Sequence, residues 1–250
     1  FVANAGGTVS EVDSSTGAEI RFFSTGAVGA PNPYDLSVAS ISTHLMLVDP
    51  IAQTVVEVTR DGDLVSSFST TPFGCFYPSG VVFDGSSYRV VDYNEGLFTV
   101  SPGGLTVTSF STETFGCTQP EDIAFTASGN LAVLDAAGTI FEVTSDGIAL
   151  VRSTNALPFG VSTGGSTGLA FDGTNYHLTD SPLSELFSIA PEGLPVSTLA
   201  FGALGVGQGI PEDLAFHPTR GSLFVADRSG ALAEISSAGQ VVAQHDMRNL

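Results

Sequence analysis

Short apolar runs of four or five residues recur along the chain, and six of them end in Asp or Asn. They are FVAN (ending at Asn4), LMLVD (Asp49), YRVVD (Asp92), LAVLD (Asp135), YHLTD (Asp180) and LFVAD (Asp227). The intervals between those end residues are 45, 43, 43, 45 and 47 residues. A second apolar run precedes all but the first, usually after proline, as in PYDLSVA, PSGVVFDG, PEDIAFT, STGLAFDG and PEDLAFHP. A third follows each Asp or Asn (TVSEV, TVVEV, LFTV, TIFEV, LFSI, ALAEI), and after a glycine turn comes a fourth, such as AEIRFFS, DLVSSFS or LTVTSFS. The third run alternates apolar and polar residues, which predicts a strand with one wet face. The run that precedes the Asp or Asn, the first strand of each unit, is almost wholly apolar and predicts a strand covered on both sides. No stretch carries a helical period.

Asp61-Gly62 and Asp146-Gly147 are hairpin signals, because glycine reaches positive φ without a steric cost. Four short strands per unit and a period in the 40s predict propeller blades. The fold class expected is all-β: a six-bladed β-propeller of four-stranded antiparallel blades in one domain. The blades fall near 1–30, 31–76, 77–118, 119–163, 164–208 and 209–250. Only five copies of the first strand are present, so blade one lacks its first strand. Residues outside this numbering or a partner are expected to supply it, since an open edge invites pairing. Phe1 in place of a start methionine suggests a processed or partial product. FVANAGGTVSEVDSSTGAEI, LFVADRSGALAEISSAGQVV and the P-x-G/D-x-A-F lead-in resemble NHL-type and YVTN-type propeller repeats. That resemblance spans the chain and implies a fold shared by binding modules, scaffolds and some enzymes.

Charge narrows the partners. There are 26 acidic residues against 7 arginines, with no lysine, giving a net charge of −19. That argues against nucleic acid and anionic membrane surfaces, which need basic patches. No apolar run approaches the roughly 18 residues of a spanning helix, so no membrane insertion is expected. Cys75 and Cys117 hold matching places in adjacent blades. They are either a bridge near the propeller axis or two buried free thiols. A bridge would favour an extracellular or periplasmic setting.

What recurs in every blade builds the fold, and what breaks the repeat is a candidate for function. The repeated Asp is therefore expected to accept N–H groups of the turn that follows it. Glu11, Glu57, Glu142 and Glu234 recur on the third strand and are expected to face solvent. The start of the first strand differs, reading Asp35, Gly80, Asp122, Gly168 and Asp213 in blades two to six. If these line the axis, Asp35, Asp122 and Asp213, with Glu121 and Glu212 beside them, form a candidate Ca²⁺ site. Otherwise they cap local turns. The remaining irregular positions belong to one rim. They are Tyr93, Asn94, Glu95 and Arg228, the loops 154–167 and 201–212, and the aromatics Tyr34, Phe76 and Tyr77. His44, His177, His217 and His245 share no register, and no GxSxG elbow or P-loop is present.

These features favour an extracellular, non-enzymatic propeller acting as a binding or structural module. A protein or carbohydrate would bind at its rim loops, and a neighbouring segment or subunit could donate a strand. The alternative is a calcium-dependent hydrolase resembling six-bladed lactonases of the gluconolactonase and paraoxonase kind. That resemblance implies Asp35, Asp122 and Asp213 as ligands, with Glu121 or Glu212 as base or further ligand.

Overall fold

A computed structural model of the chain describes residues 1–4, 6–39, 44–204 and 209–248. It is an all-β protein built from six antiparallel sheets, each a hairpin-connected run of consecutive strands. The second sheet is representative, pairing Asp35–Val38, Leu45–Asp49, Thr54–Val58 and Leu64–Ser69 in sequence order. Sheets three to six repeat that order, and the first holds only Val2–Asn4, Thr8–Val12 and Glu19–Ser24. These sheets are the blades of a six-bladed β-propeller, with the first blade one strand short, as the repeat count predicts. Among the described residues, helix is confined to Phe201–Leu204 and four 3₁₀ turns.

The chain divides into two compact units. The first comprises residues 1–13, 18–123 and 144–149, and holds the first three sheets with the start of the fourth. The second comprises residues 14–17, 124–143 and 150–250, and holds the rest of the fourth sheet with the fifth and sixth.

Apolar side chains pack between consecutive sheets. In the first unit one cluster joins Val9 to Leu45, Leu47 and Val56, and another joins Met46, Val48 and Val55 to Val81, Tyr88 and Phe98. In the second unit Leu134 and Ile140 meet Leu178 and Phe187, while Leu186 meets Val225 and Ile235. Packing on both faces buries the third strands almost completely, and the exposed alternation belongs to the fourth strands instead. The expectation that the third-strand glutamates face solvent is therefore corrected: Glu11, Glu57, Glu142 and Glu234 are 7, 7, 4 and 2% exposed.

Burying a carboxylate requires donors, and the neighbouring strands supply them. Tyr88 of the third sheet donates its phenol to Glu57 of the second. Tyr176 of the fifth donates to Glu142 of the fourth at 3.1 Å. Arg220 and Ser222 hold Glu234 at 2.6–2.9 Å. Immediately after this position, in all six blades, the pairing of third and fourth strands shifts register (Glu11/Val12, Glu57/Val58, Thr99/Val100, Glu142/Val143, Ser188/Ile189 and Glu234/Ile235). A bulge there bends the outer strand and adds right-handed twist.

Candidate functional site

The recurring Asp is a structural fastener, and it holds more than the turn that follows. Asp49 is fully buried, and its Oδ1 accepts the N–H groups of Ile51 and Ala52 at 2.9 and 2.8 Å. Its Oδ2 reaches back to the N–H of Asn32 at 2.6 Å, in the loop leading into the blade. Asp92 does the same for Asn94 on one side and for Phe76 and Tyr77 on the other. Asp180 takes Leu183 and Ser162, and Asp227 takes Ser229 and Ile210. One carboxylate thus pins two loops at the same end of blades two, three, five and six, and those loops belong to the rim.

On that frame the first unit raises an aromatic group. Tyr34, Phe76 and Tyr77 are 47, 53 and 42% exposed, well above what packed aromatics show. Their backbones are anchored: the Tyr34 N–H bonds to the Val48 carbonyl at 2.9 Å, and the Tyr93 N–H to the Tyr77 carbonyl at 3.0 Å. The Gln53 amide donates to the Phe76 carbonyl at 3.0 Å. Tyr77 and Tyr93 stand edge to face, with ring centroids 5.8 Å apart and planes at 61°. The Tyr34 hydroxyl donates to Glu121 at 3.2 Å, reaching past the third blade to the start of the fourth. Glu95 adopts φ 74° and Gln53 φ 55°, left-handed backbone that costs a side-chain-bearing residue about 1 kcal/mol. The corresponding turns of blades one, four and six carry Gly7, Gly138 and Gly230. Asn94 is exposed beside them.

The second unit's rim carries hydroxyls and an ion pair. Thr167 Oγ1 lies 3.0 Å from Thr179 Oγ1, and Ser181 donates to the Pro211 carbonyl. Arg228 pairs with Glu212 at 2.5 Å. Burial pushes the Glu212 carboxyl above its usual range, and Arg228 opposes that rise. Part of the 201–212 loop lies outside the described residues.

The acidic candidates for a cation are already engaged with donors. Asp35 Oδ2 accepts the Val81 N–H of the next blade at 2.9 Å. Asp122 and Asp213 each accept the N–H of their own following residue, Ile123 and Leu214, at 2.6 and 2.7 Å. Glu121 bonds Tyr34 and Glu212 bonds Arg228. Among the described residues no group of three or more His, Cys, Asp or Glu side chains gathers around a point that could hold a metal ion. As placed, these described carboxylates serve backbone and side-chain donors and do not converge as hard-cation ligands. The Asp–Gly alternation has a packing cause instead. A Cβ on Gly80 would lie 3.2 Å from Asp122 Cα, and one on Gly168 would lie 2.8 Å from Asp213 Cα. The glycines make room for the aspartate of the following blade.

Cys75 and Cys117 are not bridged; both are buried free thiols. Each follows a 3₁₀ turn closed by a left-handed glycine (Gly74 at φ 84°, Gly116 at φ 95°). Each also bonds back through its N–H to the threonine five residues earlier, at 3.3 and 3.1 Å. These bonds seat each thiol within its own blade, and burial pushes the Cys75 thiol far above its ordinary range.

One polar chain escapes sequence reading. His177 lies between Asp172 (Nε2 to Oδ2, 3.0 Å) and Ser188 (Nδ1 to Oγ, 2.9 Å), at a cleft of about 30 Å³ in the second unit. Burial pulls the imidazole below its usual range, so it stands neutral, donating to Asp172 and accepting from Ser188. Blade three places Asp84, Arg89 and Thr99 at the same three positions, with Arg89 ion-paired to Asp84 at 3.1 Å. The cleft has room for one water molecule, and the counterpart in blade three identifies the chain as a packing device. Its signal in the sequence was the shared FDG-x-x-Y of blades three and five.

No protein-family model matches the chain, and no curated protein matches it by sequence. Solved structures do. A streptogramin B lyase superposes with a TM-score of 0.68 at 14% identity, over 97% of this chain and 77% of that one. A Bacteroides caccae protein of unknown function gives 0.69 at 16%, over 98% and 92%. A catalytically inactive virginiamycin B lyase from Staphylococcus aureus, solved with quinupristin, gives 0.66 at 13%, over 97% and 78%. The likeness is one of fold. It agrees with the NHL- and YVTN-type repeat seen in the sequence.

Proposed function

We propose that this propeller is a non-enzymatic binding or structural module that recognises a protein or carbohydrate through the rim loops of its first unit. The observation that carries the reading is the group of exposed aromatics on loops fastened by buried aspartates. Rigid presentation of aromatic side chains lowers the entropy lost on binding, and loops on a stiff frame are where recognition concentrates. An extracellular or periplasmic setting is part of the proposal. It drew on a Cys75–Cys117 bridge, and with both thiols free it stands without that support; the rim reading is independent of compartment. The lyase neighbours lend the fold and nothing of their chemistry.

The test is an NMR titration of the labelled protein with a panel of oligosaccharides and peptides. Shifts centred on residues 32–34, 76–77, 93–95 and 119–121 would support the reading. Shifts centred elsewhere, or none with any member of the panel, would sink it.

The first sheet adds a second mode of association. Val2–Asn4 pairs only with Thr8–Val12 among the described residues, so its other edge is open to an added strand, from a neighbouring segment or subunit. Such a strand is expected to bring a small residue beside Asp35, as Gly80 stands beside Asp122. A shift to a larger species in size-exclusion chromatography, lost on unfolding, checks this.

A further inference from the structure

We infer that the first unit's rim anchors an apolar side chain of a partner protein on a patch formed by Ile51, Phe76 and Tyr77. The inference deepens the binding reading above and rests on it, naming a protein in place of a carbohydrate as the ligand of that rim. Three observations carry it. The first is where large apolar side chains break the repeat. Ile51 stands two residues after Asp49 and is 74% exposed. The other five blades carry Gly6, Asn94, Ala137, Pro182 and Ser229 at that place. Phe76, two residues before the first strand of its blade, is matched by Pro31, Thr118, Gly164 and Gly209 in the others that have that strand. The frame is therefore built without a large apolar group at either position. The two loops meet, since the Gln53 amide of the blade-two turn donates to the Phe76 carbonyl at 3.0 Å. Tyr77 follows Phe76 and extends the patch. Large apolar groups exposed together mark contact surfaces.

The second observation is what the polar groups around the patch already do. Asp49 Oδ1 accepts the N–H groups of Ile51 and Ala52, and its Oδ2 that of Asn32. Asp92 Oδ2 accepts the N–H groups of Phe76 and Tyr77, and its Oδ1 that of Asn94. Gln53 is engaged at both ends, its amide by the Phe76 carbonyl and its oxygen by the Thr71 hydroxyl at 2.9 Å. The Tyr77 carbonyl takes the Tyr93 N–H. A sugar covering this patch would lose water from its hydroxyls, and these groups are committed to the frame, so the loss goes uncompensated. A leucine, phenylalanine or tryptophan side chain needs no hydrogen bond of them and gains from every apolar contact. Such anchors dominate the affinity of protein interfaces. The third observation is charge. A net charge of −19 sets two copies of this chain against each other, so the partner is a different protein and its contact surface is not acidic.

The experiment follows NMR shifts of the intact labelled protein with four probes: acetyl-Gly-Trp-Gly-amide, its leucine and serine counterparts, and maltotriose. The tryptophan and leucine peptides are expected to shift Ile51, Phe76 and Tyr77 together, and the serine peptide to leave them in place. The Ile51→Asn/Phe76→Thr variant takes residue types that sister blades already carry, so its melting temperature should hold. Its affinity for the tryptophan peptide should fall about tenfold or more. Leu183→Ser, on the second unit, should leave that affinity unchanged. Equal shifts with the serine peptide would overturn the inference, because backbone contact would then suffice. So would tryptophan shifts centred elsewhere, or shifts that survive in the double variant. Maltotriose shifting the same residues would overturn the choice of a protein and leave the binding-module reading intact. No shift with any of the four would also overturn the inference, and the wider titration panel above then decides whether the rim binds at all.

Discussion

Above its strand ends the first unit carries Tyr34, Phe76, Tyr77 and Tyr93, and the second carries Thr167, Ser162, Ser181 and Arg228 in the matching loops. Beneath them the two rims are built alike. Asp92 accepts N–H groups from Asn94 and from Phe76 and Tyr77, and Asp180 accepts them from Leu183 and Ser162. Both carboxylates are essentially fully buried. The same fastener therefore presents an aromatic, acidic surface in one unit and a hydroxyl-rich, internally paired surface in the other. The frame is dictated by the fold, and the side chains standing on it are free to differ. That freedom is what makes the aromatics informative.

If the frames are equivalent, breaking either should cost the same. Replacing Asp92 or Asp180 by alanine leaves several backbone donors without an acceptor, a loss of about 2–4 kcal/mol in each case. Urea unfolding of both variants checks it, and a cost confined to one unit would show that the fasteners are unequal. A smaller difference is expected at the glycines. A Cβ at Gly168 meets Asp213 Oδ1 at 2.7 Å and Cα at 2.8 Å, whereas at Gly80 its nearest contact is the Val91 Cγ2 methyl at 3.1 Å. Gly168→Ala should cost about 1–3 kcal/mol and Gly80→Ala less. Reversal of that order would mean the second unit yields more readily than its close contacts imply.

The buried Glu–Tyr pairs come next. Tyr88→Phe removes a donor from Glu57, and Tyr176→Phe removes one from Glu142. Each should cost about 1 kcal/mol, because the remaining donors still hold the carboxylate. Burial, with the Glu57 hydrogen bond adding to it, pushes the Tyr88 phenol up to about 12. Its ultraviolet titration is therefore expected well above the ordinary tyrosine value of 10.0.

Much of the frame was legible because it repeats. The Asp at the end of the second strand, the glycine turns and the missing first strand all follow from copies that align. Burial of Glu57 and Glu142 was not legible, because the alternations Val55-x-Glu57 and Ile140-x-Glu142 look the same whether their polar side meets water or a tyrosine of the next blade. Tyr88 and Tyr176 lie 31 and 34 residues from those glutamates, and nothing local links them. The Asp–Gly alternation at Asp35, Gly80, Asp122, Gly168 and Asp213 was visible as a pattern, but its packing cause was not. The pattern records which side chain needs room, and only the spacing between blades reveals that. The rim aromatics were legible as exceptions to the repeat; their anchoring by Asp92 was not, since Phe76 and Tyr77 stand 16 and 15 residues before it.

A subtler contrast sets Asp84–Arg89 of the first unit against Asp172–His177 of the second. Arginine keeps its charge at every accessible pH, while histidine titrates. Burial lowers the folded-state pKa of His177 below 6.5, and its bond to Asp172 only partly offsets this. Between those two values the unfolded chain binds the proton and the folded one does not, so stability falls as the pH drops through about 6.5 and levels off once the folded form is also protonated. Asp172 is itself held low: burial opposes the shift, and the bonds from Asn175, His177 and Thr174 outweigh it. Its contribution is lost only at lower pH, below the ordinary aspartate value of 3.8. The melting temperature should therefore decline between pH 7.5 and 5.5, and the decline should shrink in His177→Gln. An unchanged slope in that variant would assign the sensitivity to other groups.

The smallest effect on stability is expected where the proposed function is concentrated. Tyr77 is 42% exposed, and its fixed features are backbone bonds that alanine would keep. Tyr77→Ala should change stability by less than about 0.5 kcal/mol, the range of ordinary surface substitutions. Arg228→Ala, which loses one exposed ion pair, should fall in the same range. The two substitutions are thus alike in stability and unlike in what they remove, one from each rim. If Tyr77→Ala instead destabilised the protein by as much as Tyr88→Phe, the first unit's aromatics would be packing elements, and the contrast between the rims would reduce to two ways of finishing the same loop. If stability holds and ligand binding is lost only with Tyr77→Ala, the difference between the rims is functional, because the frame beneath both has been left intact.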